Sequence, residues 1–364
     1  FLLRPLGISR SEVIVALVFL GMALLSVLSA PTAPNTDMLR VWLISIAAFW
    51  LFRITYLWLP QNGLDIGVQL FLALWSLAAI AQALFAGPAY VSSWFGRPPN
   101  VVYATGLSNF SDHGAILLLP LLLWTLVFNL NQPDWRRGLL WFTGCAALYF
   151  TLSRAGWLAL LIAMLVLMLR LRGKPRLLRG LILHAALALL AALLAWAAPA
   201  PQIDLYEPGG AASAGRWQLL DSAGDYSRAT RLVTLQVALK AVAEYPLTGV
   251  GLGRFPYYYA KHRANYLTDA LANTRVYMTP HNGYTQFLSE VGIPAFLALL
   301  VWLWLLMRQA SMNTEPAALA LHASILGMMV WLLFHDGLYD RLFWILLGSA
   351  AALGTKQSSL RRGV

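Results

Sequence analysis

The chain has 364 residues, of which 59% are apolar and 11% charged, and its formal net charge at pH 7 is +11. A water-soluble fold of this length does not need so much apolar surface, so the composition excludes a soluble globular protein and predicts a polytopic membrane protein. Nucleic acid is not an expected partner, because cytoplasmic loops of membrane proteins retain Lys and Arg for topological reasons. The single Cys145 lies in an apolar run, which excludes a disulfide framework and a cysteine metal site.

Continuous apolar runs of about twenty residues predict transmembrane helices, since barrel strands would alternate apolar and polar residues. Short polar hairpins separate most of the runs. In chain order, the ten predicted spans are 11–31, 38–59, 65–86, 113–130, 138–152, 155–171, 177–198, 291–309, 316–334 and 339–355. The chain starts at Phe1 rather than at methionine, so we expect upstream sequence that brings the total to as many as twelve spans.

The distribution of Arg and Lys predicts the orientation of these spans. Alternating ten spans brings the basic loops to one face, which the positive-inside rule assigns to the cytoplasm. The basic segments on that face are Arg4 with Arg10, Arg136 with Arg137, 170–180, Arg308 and 356–362. The loop at 87–112, the Ser153–Arg154 turn and the long loop at 199–290 then lie on the outer face. We therefore divide the chain into N-terminal spans (1–198), an outer loop with part of the active site (199–290) and C-terminal spans (291–364).

The long outer loop is more basic than the charge rule requires, although long loops cross the membrane largely regardless of charge. Its basic residues are Arg216, Arg228, Arg231, Lys240, Arg254, Lys261, Arg263 and Arg275. Within the loop, 227–246 predicts an amphipathic helix that Ser227 caps and Pro246 terminates. The glycine-rich segment 247–255 predicts a turn that lets the backbone pass close to a neighbour.

Three arginines on the outer face are candidates for binding an anion. Arg154 occupies a one-turn connection between two spans, where an interfacial arginine that snorkels to lipid headgroups is the alternative. Arg228 and Arg231 lie three residues apart, hence on one face of the predicted helix, where a solvated basic edge is the alternative. Together the arginines would suit a lipid-linked diphosphate, because a guanidinium binds phosphate oxygens bidentately.

A histidine lies at the mouth of the eighth predicted span. His281 follows Thr279 and Pro280 and precedes Asn282 and Tyr284. A histidine in this position can accept a proton near neutral pH, whereas a structural or capping role is the alternative. Weaker candidates, for an ion-pair cluster or a second contact patch, lie at the outer end of spans nine and ten: His335, Asp336, Asp340 and Arg341.

Several common catalytic motifs are absent from the sequence. There is no Asp-x-Asp, no acidic cluster for Mg²⁺ or Mn²⁺, no His-Glu-x-x-His and no Gly-x-Ser-x-Gly. We therefore expect neither a metal nor another cofactor. A diphosphate leaving group would then depend on the arginines.

The segment HNGYTQFLSEVG (281–292) resembles the signature of the bacterial O-antigen ligase family, a His-Asn pair followed at a fixed spacing by glycine, here Gly292. Ala295 stands where the family pattern often has threonine. SRAGW (153–157) and RLVTLQVALKAVAEYPLTGVGLGRF (231–255) also resemble the core that these ligases share with O-antigen polymerases and protein O-oligosaccharyltransferases. The resemblance is specific over about 150–295 and architectural elsewhere.

This resemblance implies a GT-C-type helical bundle with a large periplasmic loop that contains helices. Arg154 corresponds to the family's first arginine and His281 to its histidine, while the second arginine is either Arg228 or Arg231. The implied enzyme is an inverting, metal-independent glycosyltransferase of the bacterial inner membrane, whose active site faces the periplasm. His281 would act as general base or orient the acceptor, and the arginines would offset charge on the departing diphosphate. Asn282 and Tyr284 would contact the substrates.

The implied donor is undecaprenyl-diphosphate-linked O-antigen polysaccharide, and the implied acceptor is lipid A-core in lipopolysaccharide biosynthesis. We expect a monomer embedded in the lipid bilayer. An O-antigen polymerase or a protein O-oligosaccharyltransferase uses nearly the same core and stays open as an alternative. A polysaccharide flippase or transporter is less favoured, because it would place charge or broken helices at mid-membrane. Here the notable charges lie outside the membrane, and only Arg53 and His184 fall within or near spans.

Overall fold

The computed structural model describes residues 10–29, 36–86, 111–197, 216–266, 277–311 and 313–361, and it contains no β-strand in these ranges. Nearly all of the predicted loop at 87–112, residues 199–215 of the long loop, Arg4 and Arg275 lie outside the described residues. The helices are α1 (Arg10–Ser29), α2 (Thr36–Thr55), α3 (Gln61–Ala81), α4 (Ser111–Asn131), α5 (Trp135–Phe150), α6 (Arg154–Arg170), α7 (Pro175–Ala197), α8 (Arg216–Glu244), α9 (Phe255–His262), α10 (Gly283–Ser311), α11 (Pro316–Trp331) and α12 (Arg341–Arg361). Short 3₁₀ turns follow α2 and α9, and a π-helical turn extends α3.

The chain is an all-helical, multi-pass membrane protein, as the composition predicts. Every one of the ten predicted spans overlaps a helix. Within the described ranges, five helices are long and apolar enough to cross a membrane: Ser11–Ser29, Gln61–Leu84, His113–Asn131, Pro175–Ala197 and Gly283–Ser311. Pro316–Trp331 and Arg341–Gly354 are shorter apolar helices.

The helices form two compact units, which do not follow the order of the sequence. Unit 1 comprises Phe1–Leu57, Ala223–Asn313 and Leu332–Val364, and unit 2 comprises Trp58–Ser222 and Thr314–Trp331. In unit 1, α1 packs on α10, α2 packs on α12, and α10 also contacts α12. In unit 2, α11 packs on α4 and α6, while α5 packs on α3, α4 and α7.

Aromatic side chains fill the centre of unit 1. Phe19 of α1, Trp42 of α2 and Trp302 of α10 are all almost fully buried, with ring centroids of Phe19 at 5.8 Å from Trp42 and 5.7 Å from Trp302. Trp344 of α12 lies 5.6 Å from Trp302. Tilted contacts of this kind bury large apolar areas and favour one arrangement of the four helices.

Arg53 and His184, which the sequence analysis places within or near spans, both have partners inside their own unit. In unit 1, the buried Arg53 forms a bidentate ion pair with the buried Glu12, with Nη2 to Oε2 at 3.0 Å, and Gln309 Nε2 lies 3.3 Å from the same oxygen. In unit 2, the His184 ring lies 2.9 Å from Asn129 Nδ2 and 2.7 Å from the carbonyl oxygen of Gly180. Buried charges and polar groups persist in apolar surroundings only when they are paired in this way.

Candidate functional site

Helix α10 is interrupted one third of the way along, and a turn from the long loop occupies the break. Gly292 leaves the helical conformation (φ 79°, ψ 173°), and Pro294 has no N–H to donate. The helix carbonyls of Ser289 and Glu290 instead accept hydrogen bonds from the backbone N–H groups of Val250 and Gly251, both at 2.9 Å. In return, the N–H of Ile293 donates to the carbonyl of Pro246 at 2.8 Å. The break therefore leaves these backbone groups partnered by the turn at 246–255.

Glycine is required on both sides of this contact. A Cβ at Gly249 would lie 2.4 Å from the carbonyl oxygen of Glu290, and one at Gly292 would lie 2.6 Å from that of Leu247. Both residues have positive φ, where a side chain is strained in any case. The turn thus passes close to a neighbour, as the glycine-rich segment predicts, and that neighbour is the helix that begins beside His281.

The side chain of Glu290 is fully buried beneath the turn. Its carboxyl group faces the backbone N–H groups of Gly253 and Phe255, at the start of α9, and lies 3.5 Å from Gln286 Nε2. A carboxyl oxygen at the first turn of a helix can accept hydrogen bonds from the N–H groups that have no partner within the helix. Glu290 therefore links α9 to α10, a role that the sequence analysis missed because it depends on a contact between distant segments.

His281 lies next to an acidic residue from the connection between α11 and α12. Its Nδ1 is 3.5 Å from Oδ1 of Asp336, and both side chains are about one-third exposed, at 36% and 31%. Thr279 donates a hydrogen bond from Oγ1 to Oδ2 of Asp336 at 2.6 Å. Burial pushes the pKa of Asp336 upward, but the hydrogen bonds from His281 and Thr279 outweigh it and lower that pKa to about 2. Asp336 is therefore ionised at neutral pH and places a negative charge beside the imidazole.

The backbone at His281 is in the left-handed region, with φ 51°, which is uncommon for a residue other than glycine. Its neighbour Asn282 holds the segment in place. Asn282 Nδ2 donates to the carbonyl of Leu333 at 2.9 Å, and Oδ1 accepts the N–H of Thr285 at 2.9 Å. Asn282 thus caps the start of α10, so its side chain serves the positioning of His281. Tyr284 follows in the first turn of α10 and is half-buried.

Helix α8 brings Arg231 towards the same segment. Thr234 Oγ1, one turn after Arg231, donates to the carbonyl of Arg231 at 3.0 Å and lies 3.4 Å from the carbonyl of Pro280, the residue before His281. Arg231 is partly exposed, and its Nε is buried without a hydrogen-bond partner among the described residues. Arg228 belongs to the same helix one turn earlier, but its side chain lies outside the described residues.

The start of α8 differs from the prediction. The helix begins at Arg216, so Ser227 lies in its interior and does not cap it, whereas the end at Glu244 before Pro246 is as predicted. Residues 216–226 contain no proline that would exclude a helix, but they also contain no capping pattern stronger than that at Ser227. The local pattern therefore does not predict that the helix begins at Arg216.

Arg154 belongs to unit 2 and is the first residue of α6. Ser153 caps this helix, since its Oγ accepts the N–H of Gly156 at 3.2 Å. Leu152 has φ 53°, which makes the connection between α5 and α6 a tight turn. The Arg154 side chain is exposed and has no acidic partner in the part of the chain that the structure describes.

Two further residues near the candidate site were not singled out as central by the sequence. Asp336 was a weak candidate, and the structure makes it the partner of His281; Asp340 instead caps α12, accepting the N–H of Leu342 at 2.8 Å. Arg254, at the start of α9, is only 3% exposed, and its Nη1 has no hydrogen-bond partner within the described ranges. An arginine that is buried without an acidic partner is a candidate for binding an anion.

Comparison with known proteins identifies the family. Residues 139–300 match a family model described as O-antigen ligase, while no curated protein matches the chain. The matched segment contains Arg154, Arg231, the turn at 246–255 and His281. The resemblance drawn from the sequence is thereby confirmed. Residues 139–300 of the chain are therefore similar to the O-antigen ligase family.

Proposed function

We propose that this protein is an O-antigen ligase, which transfers a polysaccharide from undecaprenyl diphosphate to lipid A-core at the periplasmic face of the inner membrane. The observation that carries the proposal is the pairing of His281 with the ionised Asp336 at the start of α10, beside the turn of α8 that contains Arg231. The proposal includes ten transmembrane spans and a periplasmic location for the long loop at 199–290.

His281 acts as the general base in this reaction. With Nδ1 facing the Asp336 carboxylate, Nε2 is the nitrogen that accepts the proton from the acceptor hydroxyl. The acceptor oxygen forms a bond to the anomeric carbon, the bond from that carbon to the lipid diphosphate breaks, and the configuration inverts. Asp336 stabilises the imidazolium that forms, because its negative charge already lies beside the ring before the proton is transferred.

Arginines stabilise the diphosphate as it leaves. Arg231 is suited to this role because its helix turn lies against the segment before His281 and its Nε lacks a partner within the described residues. Arg154 is proposed for the same role because it corresponds to the family's first arginine in the sequence resemblance; its side chain is exposed and has no acidic partner among the described residues. A planar guanidinium can donate two parallel hydrogen bonds to phosphate oxygens, which an ammonium cannot.

An O-antigen polymerase or a protein O-oligosaccharyltransferase would need the same base and the same arginines and would differ only in the acceptor. A flippase is disfavoured by the packing of the membrane helices. Arg53 is neutralised by Glu12 and His184 is hydrogen-bonded to Asn129, so neither supplies an open charged site at mid-membrane.

A transfer assay with three acceptors tests the proposal. The purified protein is reconstituted with lipid-linked O-antigen and offered lipid A-core, a second lipid-linked O-antigen or a pilin-type protein. We expect product on lipid A-core, no product with His281→Ala, and wild-type product with Lys261→Ala, which removes an exposed cation from α9. Product on one of the other acceptors alone would replace the ligase with a polymerase or a protein glycosyltransferase, and no product on any acceptor would overturn the proposal.

A further inference from the structure

Helix α8 has a buried face and an apolar face that none of the described residues covers. Val233, Val237 and Ala238 are buried and form a cluster with Phe255 and Tyr259 of α9. On the opposite face lie Leu232, Leu235 and Leu239, of which Leu239 is 55% exposed. Their spacing of three and four residues aligns them along one side of the helix, which we call the leucine face.

The leucine face continues beyond the end of α8 to a membrane-spanning helix. Leu247, in the turn after α8, is 66% exposed, and its carbonyl lies next to Gly292 of α10. The following residue of α10, Ile293, is 40% exposed and donates its N–H to the carbonyl of Pro246. Ile293 begins an exposed apolar row on α10 that continues four and eight residues later with Leu297 and Val301. The leucine face is therefore contiguous with an apolar surface that a membrane span presents to lipid.

The length of α10 indicates the depth at which the two surfaces meet. The part of α10 after the break, residues 293–311, has 19 residues and is about 28 Å long, close to the roughly 30 Å thickness of a bilayer's hydrocarbon core. Arg308 near its C-terminal end is exposed and lies over the ring of Trp304, an arrangement typical of the membrane–water interface. With the C-terminal end of this part at one interface, its length brings Gly292 to the opposite edge of the hydrocarbon core.

Helix α8 is thereby held at the membrane surface. The turn at 246–255 is hydrogen-bonded to α10 at residues 289–293, so the end of α8 lies at the hydrocarbon edge. Helix α8 has 29 residues but is not among the five described helices that are long and apolar enough to cross a membrane. On the flank of its leucine face, Lys240 and Glu244 form an ion pair at 2.6 Å, a polar border suited to the headgroup region. A helix with one apolar face and polar flanks lies in the plane of the interface.

We infer that the leucine face of α8 is immersed among the phospholipid acyl chains of the leaflet on the side of His281. This contact needs no enzymatic activity and is independent of the proposed function; only the naming of that leaflet as the periplasmic one depends on it. Its consequence is that Arg231, whose neighbour Leu232 belongs to the leucine face, is held at the level of lipid headgroups. A diphosphate carried on a membrane lipid lies at the same level.

Nitroxide labelling can measure this contact directly, because the sole native cysteine, Cys145, is buried. In a Cys145→Ala background, single labels are placed by Leu235→Cys, Leu239→Cys and Leu247→Cys. The full chain is reconstituted in vesicles of phosphatidylethanolamine and phosphatidylglycerol. Accessibility to oxygen, which concentrates in hydrocarbon, is compared with accessibility to a water-soluble nickel chelate. Leu297→Cys on α10 serves as the lipid-facing reference and Lys261→Cys, on the exposed side of α9, as the water-facing reference.

We expect the oxygen-to-nickel ratio at all three leucine positions to exceed that at residue 261 several-fold and to approach that at residue 297. A ratio equal to that at residue 261 would place the leucine face in water and overturn the inference. Low accessibility to both reagents would show that protein covers the face, and would overturn it equally. The three side chains are exposed, so each label tests the inference separately, and agreement of two positions decides it.

Discussion

Replacing Asp336 by Asn isolates the contribution of the carboxylate to His281. The substitution keeps the size of the side chain and an acceptor for the Thr279 hydroxyl, but it removes the negative charge 3.5 Å from Nδ1. Two unit charges at this distance attract by about 5 kcal/mol at an effective dielectric constant of about 20. Both side chains are about one-third exposed, so solvent screening reduces this, and we expect about 2 kcal/mol at the transition state. That loss corresponds to a kcat about 30-fold lower.

The assay is single-turnover transfer to lipid A-core at saturating donor, which separates kcat from binding. Asp340→Asn is the matched control, since Asp340 lies in the same connection and caps α12 without contacting His281. It should keep nearly the wild-type rate. If Asp336→Asn also transfers at the wild-type rate while His281→Ala is inactive, the carboxylate does not stabilise the imidazolium and the reasoning is refuted.

The pairing of His281 with Asp336 also predicts that the protein loses stability at acid pH. The pKa of Asp336 is lowered from its ordinary value to about 2, so its contribution to stability is complete above about pH 4 and is lost as the pH falls towards 2. We expect Asp336→Asn to be less stable than wild type at pH 6 and to approach it at the acid end, as measured by thermal unfolding in detergent. A difference in Tm that is independent of pH would contradict the charge assignment.

Three other predictions concern the arginines, the glycine contact and metal ions. Arg231→Ala should lower kcat/KM for the lipid-linked donor more than Arg228→Ala, because the turn of α8 with Arg231 lies against the segment before the histidine; equal losses would contradict this. Gly249→Ala and Gly292→Ala should each cost more than about 2 kcal/mol of stability and lower Tm, whereas Gly67→Ala, with open space around it, should be tolerated. Transfer should persist in excess EDTA, since the described residues contain no group of three or more His, Cys, Asp or Glu that could hold a metal ion; loss of activity that Mg²⁺ or Mn²⁺ restores would contradict this.

The membrane helices could be predicted from the sequence because each predicted span is a long apolar run. Such a run indicates a transmembrane helix without information about any other segment of the chain. The eighth span is predicted to begin at residue 291, and α10 begins eight residues earlier, at Gly283, with an interruption at Gly292. Residues 283–290 are too polar to belong to a span, so the apolar run alone does not predict this part of the helix. The interruption persists because the turn at 246–255 satisfies its backbone groups, a contact between segments about forty residues apart.

The candidate site was predictable only where a single residue type suggested the chemistry. His281 and the arginines were identified by residue type, position and family resemblance. Asp336 lies far from His281 in the sequence, and no spacing rule relates the two. Asn282, which the sequence predicts to contact substrate, also caps α10 and donates to the carbonyl of Leu333. A cap is recognised from its backbone partners, which only the fold defines.

The central claim is that His281 and Arg154 serve transfer to lipid A-core rather than the stability of the protein. Complementation of a bacterium that lacks its O-antigen ligase tests it most directly, with the lipopolysaccharide ladder as readout and the amount of protein in the membrane as control. We predict that the wild-type chain restores the ladder, whereas His281→Ala and Arg154→Lys reach wild-type levels in the membrane and restore none. A wild-type ladder from both variants would contradict the account.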